Sequence, residues 1–167
     1  MRMRQVVVIG SGDDTANYGK AVAIGAFIAG KGWVLVTGGR GGIMEAASRG
    51  AAEKNGIVIA ILPDSSMESA NPYCSIVIPT GIGYARNLVN VLSGDVIVAI
   101  GGKAGTLSEL AYAWQFGKPV IACTFAEGWS RKLEDTPVDD RGGSIYFADS
   151  PEAVFRHLER ILGNPAV

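Results

Sequence analysis

Short aliphatic runs rich in β-branched residues recur along this chain, each followed by a stretch of helical spacing. That alternation restricts the fold more than any other feature. The candidate strands are Gln5–Gly10, Trp33–Thr37, Ile57–Leu62, Ser75–Ile78, Asp95–Ile100, Pro119–Thr124 and Ser144–Ala148. Most are continuously apolar rather than alternating, the pattern of strands covered on both faces. Helical patterns fall near Ala16–Lys31, Gly42–Asn55, Gly83–Ser93, Thr106–Phe116 and Pro151–Leu162, the last marked by Ser150 as N-cap and Pro151 at the first helical position. Strand–helix units in series build parallel sheets. The expected fold is therefore α/β: Rossmann-like and doubly wound, a mainly parallel sheet of about seven strands with helices on both faces. No linker interrupts the pattern, so 1–167 reads as a single domain.

Glycine concentrates where strands end. Three strand-to-helix turns are rich in it: Gly10-Ser11-Gly12, Gly38-Gly39-Arg40-Gly41-Gly42, and Gly101-Gly102-Lys103-Ala104-Gly105-Thr106. In a doubly wound sheet all three lie at the carboxyl ends of the strands, where ligands collect. Such a turn aims unpaired backbone N–H groups outward at a helix N-terminus, where the macrodipole also favours an anion. Phosphate contacts are accordingly expected from Gly10, Ser11, Gly38, Gly39, Arg40, Gly41, Gly42, Asn87, Gly101, Gly102, Lys103, Ala104, Gly105 and Thr106. Arg40 and Lys103 occupy matching places in two of the turns. Each could neutralise a phosphate or simply keep an exposed turn soluble.

Two charged residues stand out as candidates for chemistry. Glu109 follows Thr106 by three residues, so on a helix starting there both face one side below the third turn. The alternative is a first-turn carboxylate that merely stabilises its helix through the dipole. Arg86 opens a helix whose dipole does not favour a cation, which points to a phosphate or carboxylate partner rather than to a plain surface position.

Composition narrows the classes. A chain of 167 residues with 48% hydrophobic content can bury a full core, and a net charge of -1 argues against nucleic acid as partner. No apolar run approaches the ~20 residues that span a bilayer, and Val6–Ile9 is too short for the core of a signal peptide. Two cysteines, Cys74 and Cys123, read as free thiols, which suggests a cytoplasmic protein. The first turn lacks the third glycine of G-x-G-x-x-G and carries Asp13 and Asp14 where a pyrophosphate would sit; no P-loop pattern surrounds Lys103. His157 is the single histidine, so neither a zinc site nor a Ser-His-Asp triad is expected, and no metal is assigned. The charged segment 127–143 reads as a solvated surface loop, or else as a flap that Trp129 closes over a ligand with Gly142-Gly143 as hinge.

The order of motifs carries a family resemblance. Thr37-Gly-Gly-Arg-Gly-Gly-Ile-Met-Glu45, Ile61-Leu-Pro63, Ala70-Asn-Pro72, Gly81-Ile-Gly-Tyr-Ala-Arg-Asn87, Asn90-Val-Leu-Ser93 and Gly101 to Glu109 resemble the molybdenum-cofactor carrier-like branch of the Lonely Guy superfamily, once labelled as lysine decarboxylases. The resemblance runs from about Val6 to Ala122. Its enzymes are phosphoribohydrolases that release a base from a nucleoside 5′-monophosphate, with the signature P-G-G-x-G-T-x-x-E and an arginine on the preceding helix. By position, Gly101, Gly102, Gly105, Thr106 and Glu109 match that signature and Arg86 matches the arginine, which makes Glu109 and Arg86 the implied catalytic pair. Ile100 replaces the proline and Asn87 the common lysine, both features of the carrier branch. The resemblance thus implies a carrier-like binder of a phosphorylated heterocycle, either molybdenum cofactor or a nucleotide. Its alternative is an N-glycosidase needing no cofactor. It also implies a homodimer or homotetramer, with no nucleic-acid or membrane partner; Leu107, Leu110, Ala111 and Trp114 would suit a helical interface or equally the core.

Overall fold

The computed structural model describes residues 1–163; residues 164–167 of the expected domain range lie outside it. A seven-stranded sheet runs in the order β4-β3-β2-β1-β5-β6-β7. The strands are β1 (Gln5–Gly10), β2 (Val34–Thr37), β3 (Val58–Leu62), β4 (Ile76–Pro79), β5 (Val96–Gly102), β6 (Val120–Gly128) and β7 (Ile145–Ala148). Every pairing is parallel, so the sheet is wholly rather than mainly parallel. The helices are α1 (Tyr18–Gly30), α2 (Ile43–Glu53), α3 (Arg86–Leu92), α4 (Ala104–Gln115), α5 (Trp129–Lys132) and α6 (Pro151–Leu162). This is the doubly wound, Rossmann-like α/β fold. From β1 the chain winds outward through β2, β3 and β4, then returns to place β5 on the other side of β1.

The alternation of side chains across the sheet explains the apolar runs. Val6 and Val8 of β1 pack with Ile24 and Ile28 of α1, Ala46 and Ala47 of α2, and Val154 and Leu158 of α6. Val7 and Ile9 face the opposite layer with Val91 of α3 and Leu110 and Ala113 of α4. Both faces of the central strands are dry, so neither parity has room for a polar residue.

Several boundaries shift for local reasons. α1 starts at Tyr18 instead of Ala16 because Asp14 accepts the Asn17 amide (3.0 Å) and its side-chain N–H (2.9 Å), holding that stretch as a turn. The expected Gly83–Ser93 helix opens as a 3-10 turn, Gly83–Ala85, before α3. Ser150 caps α6 as expected, accepting the Ala153 amide at 3.3 Å.

Segment 127–143 is loop only from residue 133 onward. β6 continues to Gly128, where Gly102 pairs with it across an irregularity in the ladder, and α5 follows at once. Trp129 packs into the layer formed by α3 and α4 beside Leu110 and Leu133, so it anchors the segment to the body.

Helices α1 and α2 cross in close contact. A Cβ on Gly25 would sit 2.0 Å from the Ala47 carbonyl oxygen, and one on Gly50 would sit 1.9 Å from that of Val22. Both collisions are with backbone, which cannot swing aside. Gly50→Ala is therefore expected to lower the unfolding free energy by about 1–3 kcal/mol through overpacking, despite the better helix propensity of alanine, as read from the urea midpoint.

Candidate functional site

Reversal of the winding direction between β1 and β5 opens a crevice at their carboxyl ends, and a cavity of about 190 Å³ lies there. The β1 turn contributes Gly10, Ser11 and Gly12, and the approach to α2 contributes Gly38 and Met44. Helix α3 supplies Arg86, Asn87 and Asn90, while the β5–α4 turn and α4 supply Lys103, Gly105, Thr106 and Glu109. Tyr84 also lines it and is 91% exposed. A wider chamber of about 570 Å³ adjoins it, sharing Ser11 and Lys103 and adding Asp13, Asp14, Phe125 and Glu127.

The β5–α4 turn is built from backbone conformations that side chains resist. Gly101 has φ 62° and Gly102 φ 98°, and a Cβ on Gly102 would meet Thr106 Oγ1 at 2.2 Å. α4 then begins at Ala104, two residues before the expected start, with Lys103 in the N-cap position and no side-chain cap. The amides of Ala104, Gly105 and Thr106 find no acceptor among the described residues, whereas Leu107 N–H closes the first helical bond to Lys103 at 2.9 Å. Gly105 and Thr106 line the cavity, so unpaired donors border it at the positive end of a helix.

Not every expected donor is free. Gly101 N–H donates to Ser130 Oγ at 2.7 Å, and that hydroxyl donates to the Cys123 carbonyl at 2.6 Å. Gly101 therefore serves the turn, not a ligand, and Gly102 faces the wider chamber. Gly39 N–H donates to Thr37 Oγ1 (3.0 Å), and the Gly39 carbonyl accepts Asn71 N–H (2.8 Å). Gly41 and Gly42 allow close approach of the second turn to the first: a Cβ on Gly42 would lie 2.3 Å from the Ser11 carbonyl, which accepts the Ile43 amide. Gly39, Arg40, Gly41, Gly42, Gly101, Gly102 and Ala104 do not line the 190 Å³ cavity, while Gly10, Ser11, Gly38, Arg86, Asn87, Lys103, Gly105, Thr106 and Glu109 do.

The cations are held in different ways. Arg40 pairs with Asp64 at 2.6 Å beside a cleft that shares Tyr84 and Arg86 with the cavity, and Lys103 pairs with Asp13 at 2.6 Å, both on the surface. Arg86 is half-buried and passes where a Gly38 Cβ would collide with its Nη1 at 2.0 Å. That nitrogen donates to the Ile61 carbonyl at 2.7 Å, which fixes the guanidinium against the sheet. Desolvation pulls its pKa down, with Glu109 opposing. Asn87 Nδ2 donates to Ser108 Oγ at 2.9 Å and so braces α3 against α4.

Glu109 sits in the second turn of α4, too far along for the dipole reading, and is only 7% exposed. No ion pair joins it to Arg86 among the described residues. Burial raises its pKa to about 7, partly offset by the charge of Arg86 and the side chain of Asn90. A carboxyl poised near neutrality in a cavity is suited to proton transfer or to stabilising a nearby positive charge. Residues the sequence reading did not select are Met44, Tyr84 and Asn90 at the cavity and Ser130 behind the turn. Met44, Tyr84 and Asn90 belong to quoted motifs but carried no separate signal.

A family model described as the SLOG cluster4 family matches residues 3–155. The chain belongs to the SLOG cluster4 family. This SLOG chain superposes on the molybdenum cofactor binding protein from the phototrophic bacterium Rippkaea orientalis with TM-score 0.87 and 38% identity, covering 97% of this chain and 99% of that one. The molybdenum cofactor carrier protein from Chlamydomonas reinhardtii gives TM-score 0.83 and 34% identity over 95% and 98% of the two chains. A cytokinin riboside 5′-monophosphate phosphoribohydrolase of Mycobacterium tuberculosis is 31% identical over 110 residues, 60% of the SLOG chain and 59% of that protein. These are the relatives that the motif order pointed to. None of the described helices is long and apolar enough to cross a membrane.

Two outcomes follow from this geometry. Ser130→Ala strips the buried Gly101 N–H of its acceptor, so it should cost about 1–3 kcal/mol of stability, measured by denaturant unfolding. Glu109 holds its proton in the fold up to about pH 7 but loses it near the ordinary carboxylate value once unfolded, so the native state binds more protons between the two and stability falls as pH rises through that window. Glu109→Gln should therefore exceed the native protein in stability at pH 8 by on the order of 3 kcal/mol. The gain should shrink toward zero as pH falls to about 4, as followed by urea unfolding across pH.

Proposed function

We propose that this SLOG chain binds a phosphorylated small molecule, with the phosphate on the unpaired amides of Gly105 and Thr106 and the guanidinium of Arg86 beside it. The observation that carries the reading is the uncapped N-terminus of α4 opening onto a cavity that also holds a half-buried cation. A phosphate there would satisfy N–H groups that nothing else in the fold satisfies. The high similarity to molybdenum cofactor binding and carrier proteins over nearly the whole chain favours a pterin phosphate as cargo, with a nucleoside monophosphate as the alternative. The adjoining chamber, with the Phe125 ring on its wall, offers room for the part of a ligand that the small cavity does not hold. Ile100 and Asn87, which replace the proline and lysine of the enzymes, support the carrier reading.

A second reading rests on Glu109. In an N-glycosidase, water adds to C1′ as the C1′–N bond breaks; the electron pair leaves with the base, which takes up a proton. The products are free base and ribose 5-phosphate. Positive charge gathers on the sugar in the transition state, and a carboxylate buried beside it stabilises that charge or takes the proton of the attacking water. The burial of Glu109 under the phosphate-facing turn favours this chemistry, as does the similarity to the mycobacterial phosphoribohydrolase.

Calorimetry with pterin phosphate and nucleoside monophosphates tests the first reading. Arg86→Gln should weaken the binding of any phosphorylated ligand by about ten- to a hundredfold, as expected for a charge-assisted hydrogen bond. No binding across the panel would overturn it. Incubation with AMP and chromatography for free adenine tests the second. Glu109→Gln should abolish base release while keeping nucleotide binding, and unchanged turnover would remove Glu109 from the chemistry.

A further inference from the structure

Asn90 is buried to 1% exposure on α3, one turn beyond Arg86, and it lines the cavity beside Glu109 and Thr106. Its Oδ1 is shut off from solvent and has no hydrogen-bond partner, the only such side-chain atom among the described residues. A buried carbonyl oxygen left unpaired costs a fold free energy that an aliphatic side chain of the same size would not. Buried Asn71 shows the usual solution: its Oδ1 accepts the Tyr73 amide and its Nδ2 donates to the Arg40 carbonyl. Packing does not explain the exception, since α3 already buries Val91 on the side facing the sheet.

Two acceptors therefore stand together on the cavity wall: the Oδ1 of Asn90 and, whatever its protonation state, at least one oxygen of Glu109. The unpaired amides of Gly105 and Thr106 lie about one helical turn, roughly 5 Å, from Glu109 along α4. The cavity thus has a donor end suited to an anion and an acceptor end suited to O–H or N–H groups. Building on the phosphate-binding reading, we propose that Asn90 is a ligand-reading residue. Its Oδ1, with Glu109 beside it, accepts hydrogen bonds from two adjacent donors that lie across the cavity from the ligand's phosphate. Vicinal hydroxyls of a sugar phosphate have that chemistry, and so does the ring N–H and amino edge of a pterin. A ligand with a bare hydrocarbon or ether at that point would leave both acceptors unpaired and be discriminated against.

The test compares the native protein with Asn90→Leu, by calorimetry against inorganic phosphate, ribose 5-phosphate, 2-deoxyribose 5-phosphate and 6-hydroxymethylpterin phosphate. Asn90→Leu should keep the affinity for inorganic phosphate and lose about tenfold or more for the donor-bearing ligand that the native protein prefers. Its ligand-free unfolding midpoint should equal or exceed that of the native protein, which a structural role for Asn90 would not allow. Native preference for ribose over deoxyribose 5-phosphate identifies the sugar hydroxyls as the donors, and preference for the pterin identifies the heterocycle edge. Unchanged affinity of Asn90→Leu for every ligand overturns the proposal, and so does an equal loss for inorganic phosphate. If Asn90→Leu does not fold, Asn90→Ala is read in the same way. Should the native protein bind neither phosphate nor any of the three phosphorylated ligands, the phosphate reading itself fails; loss of the Asn90 effect with phosphate binding intact removes only this inference.

Discussion

The site exists because β1 has neighbours reached by winding in opposite directions. Helices that follow β1 and β2 cover one face, those that precede and follow β5 cover the other, and no crossover fills the gap above the β1–β5 pair. Gly10 lets the two strand ends approach: a Cβ there would lie 2.7 Å from the Ile100 carbonyl and run into Ile43. The crevice is thus a consequence of topology, and the residues in it are those the strands deliver at their carboxyl ends. The amides of α4, the guanidinium on α3 and the turn after β1 converge there without any loop being long.

Within the crevice the fold tolerates what it avoids elsewhere. Glu109 is buried without an ion-pair partner, Asn90 leaves an acceptor unpaired, and the amides of Gly105 and Thr106 find no acceptor, all around one small cavity. The first two cost stability, because burial denies those groups water. Elsewhere the polar groups are tied down. Arg40 is paired with Asp64, Ser130 joins β5 to β6, and Asn71 clamps the second glycine turn. The contrast separates scaffold from site.

The glycine turns show why identical sequence patterns need not do identical work. Gly38-Gly39-Arg40-Gly41-Gly42 and Gly101 to Gly105 share a theme, yet the first spends its glycines on proximity. Gly38 admits the Arg86 side chain, and Gly42 lets the turn lie against Ser11. The later turn leaves the amides of two cavity-lining residues, Gly105 and Thr106, without an acceptor. A glycine needed for a positive φ or for close approach looks the same in sequence as one that cradles an anion.

Local sequence determined the elements. Continuous β-branched runs can only be strands covered on both sides, Ser150-Pro151 starts a helix wherever it is placed, and glycine after a strand forces a turn; these effects act within a few residues. Arg86, Thr106 and Glu109 were legible because a cation at a helix start and a carboxylate beneath a glycine turn run against local preference or lie in a recognisable order. What only the tertiary structure decided lies between residues far apart in the chain. Ser130 caps Gly101 across 29 positions, β6 extends to meet Gly102, and Trp129 is drawn into the α3–α4 layer. The environment of Glu109 and the loneliness of Asn90 likewise arise from packing α3 on α4. Hydrogen-bond satisfaction and desolvation depend on every atom within a few ångströms, and sequence order fixes only the nearest of those.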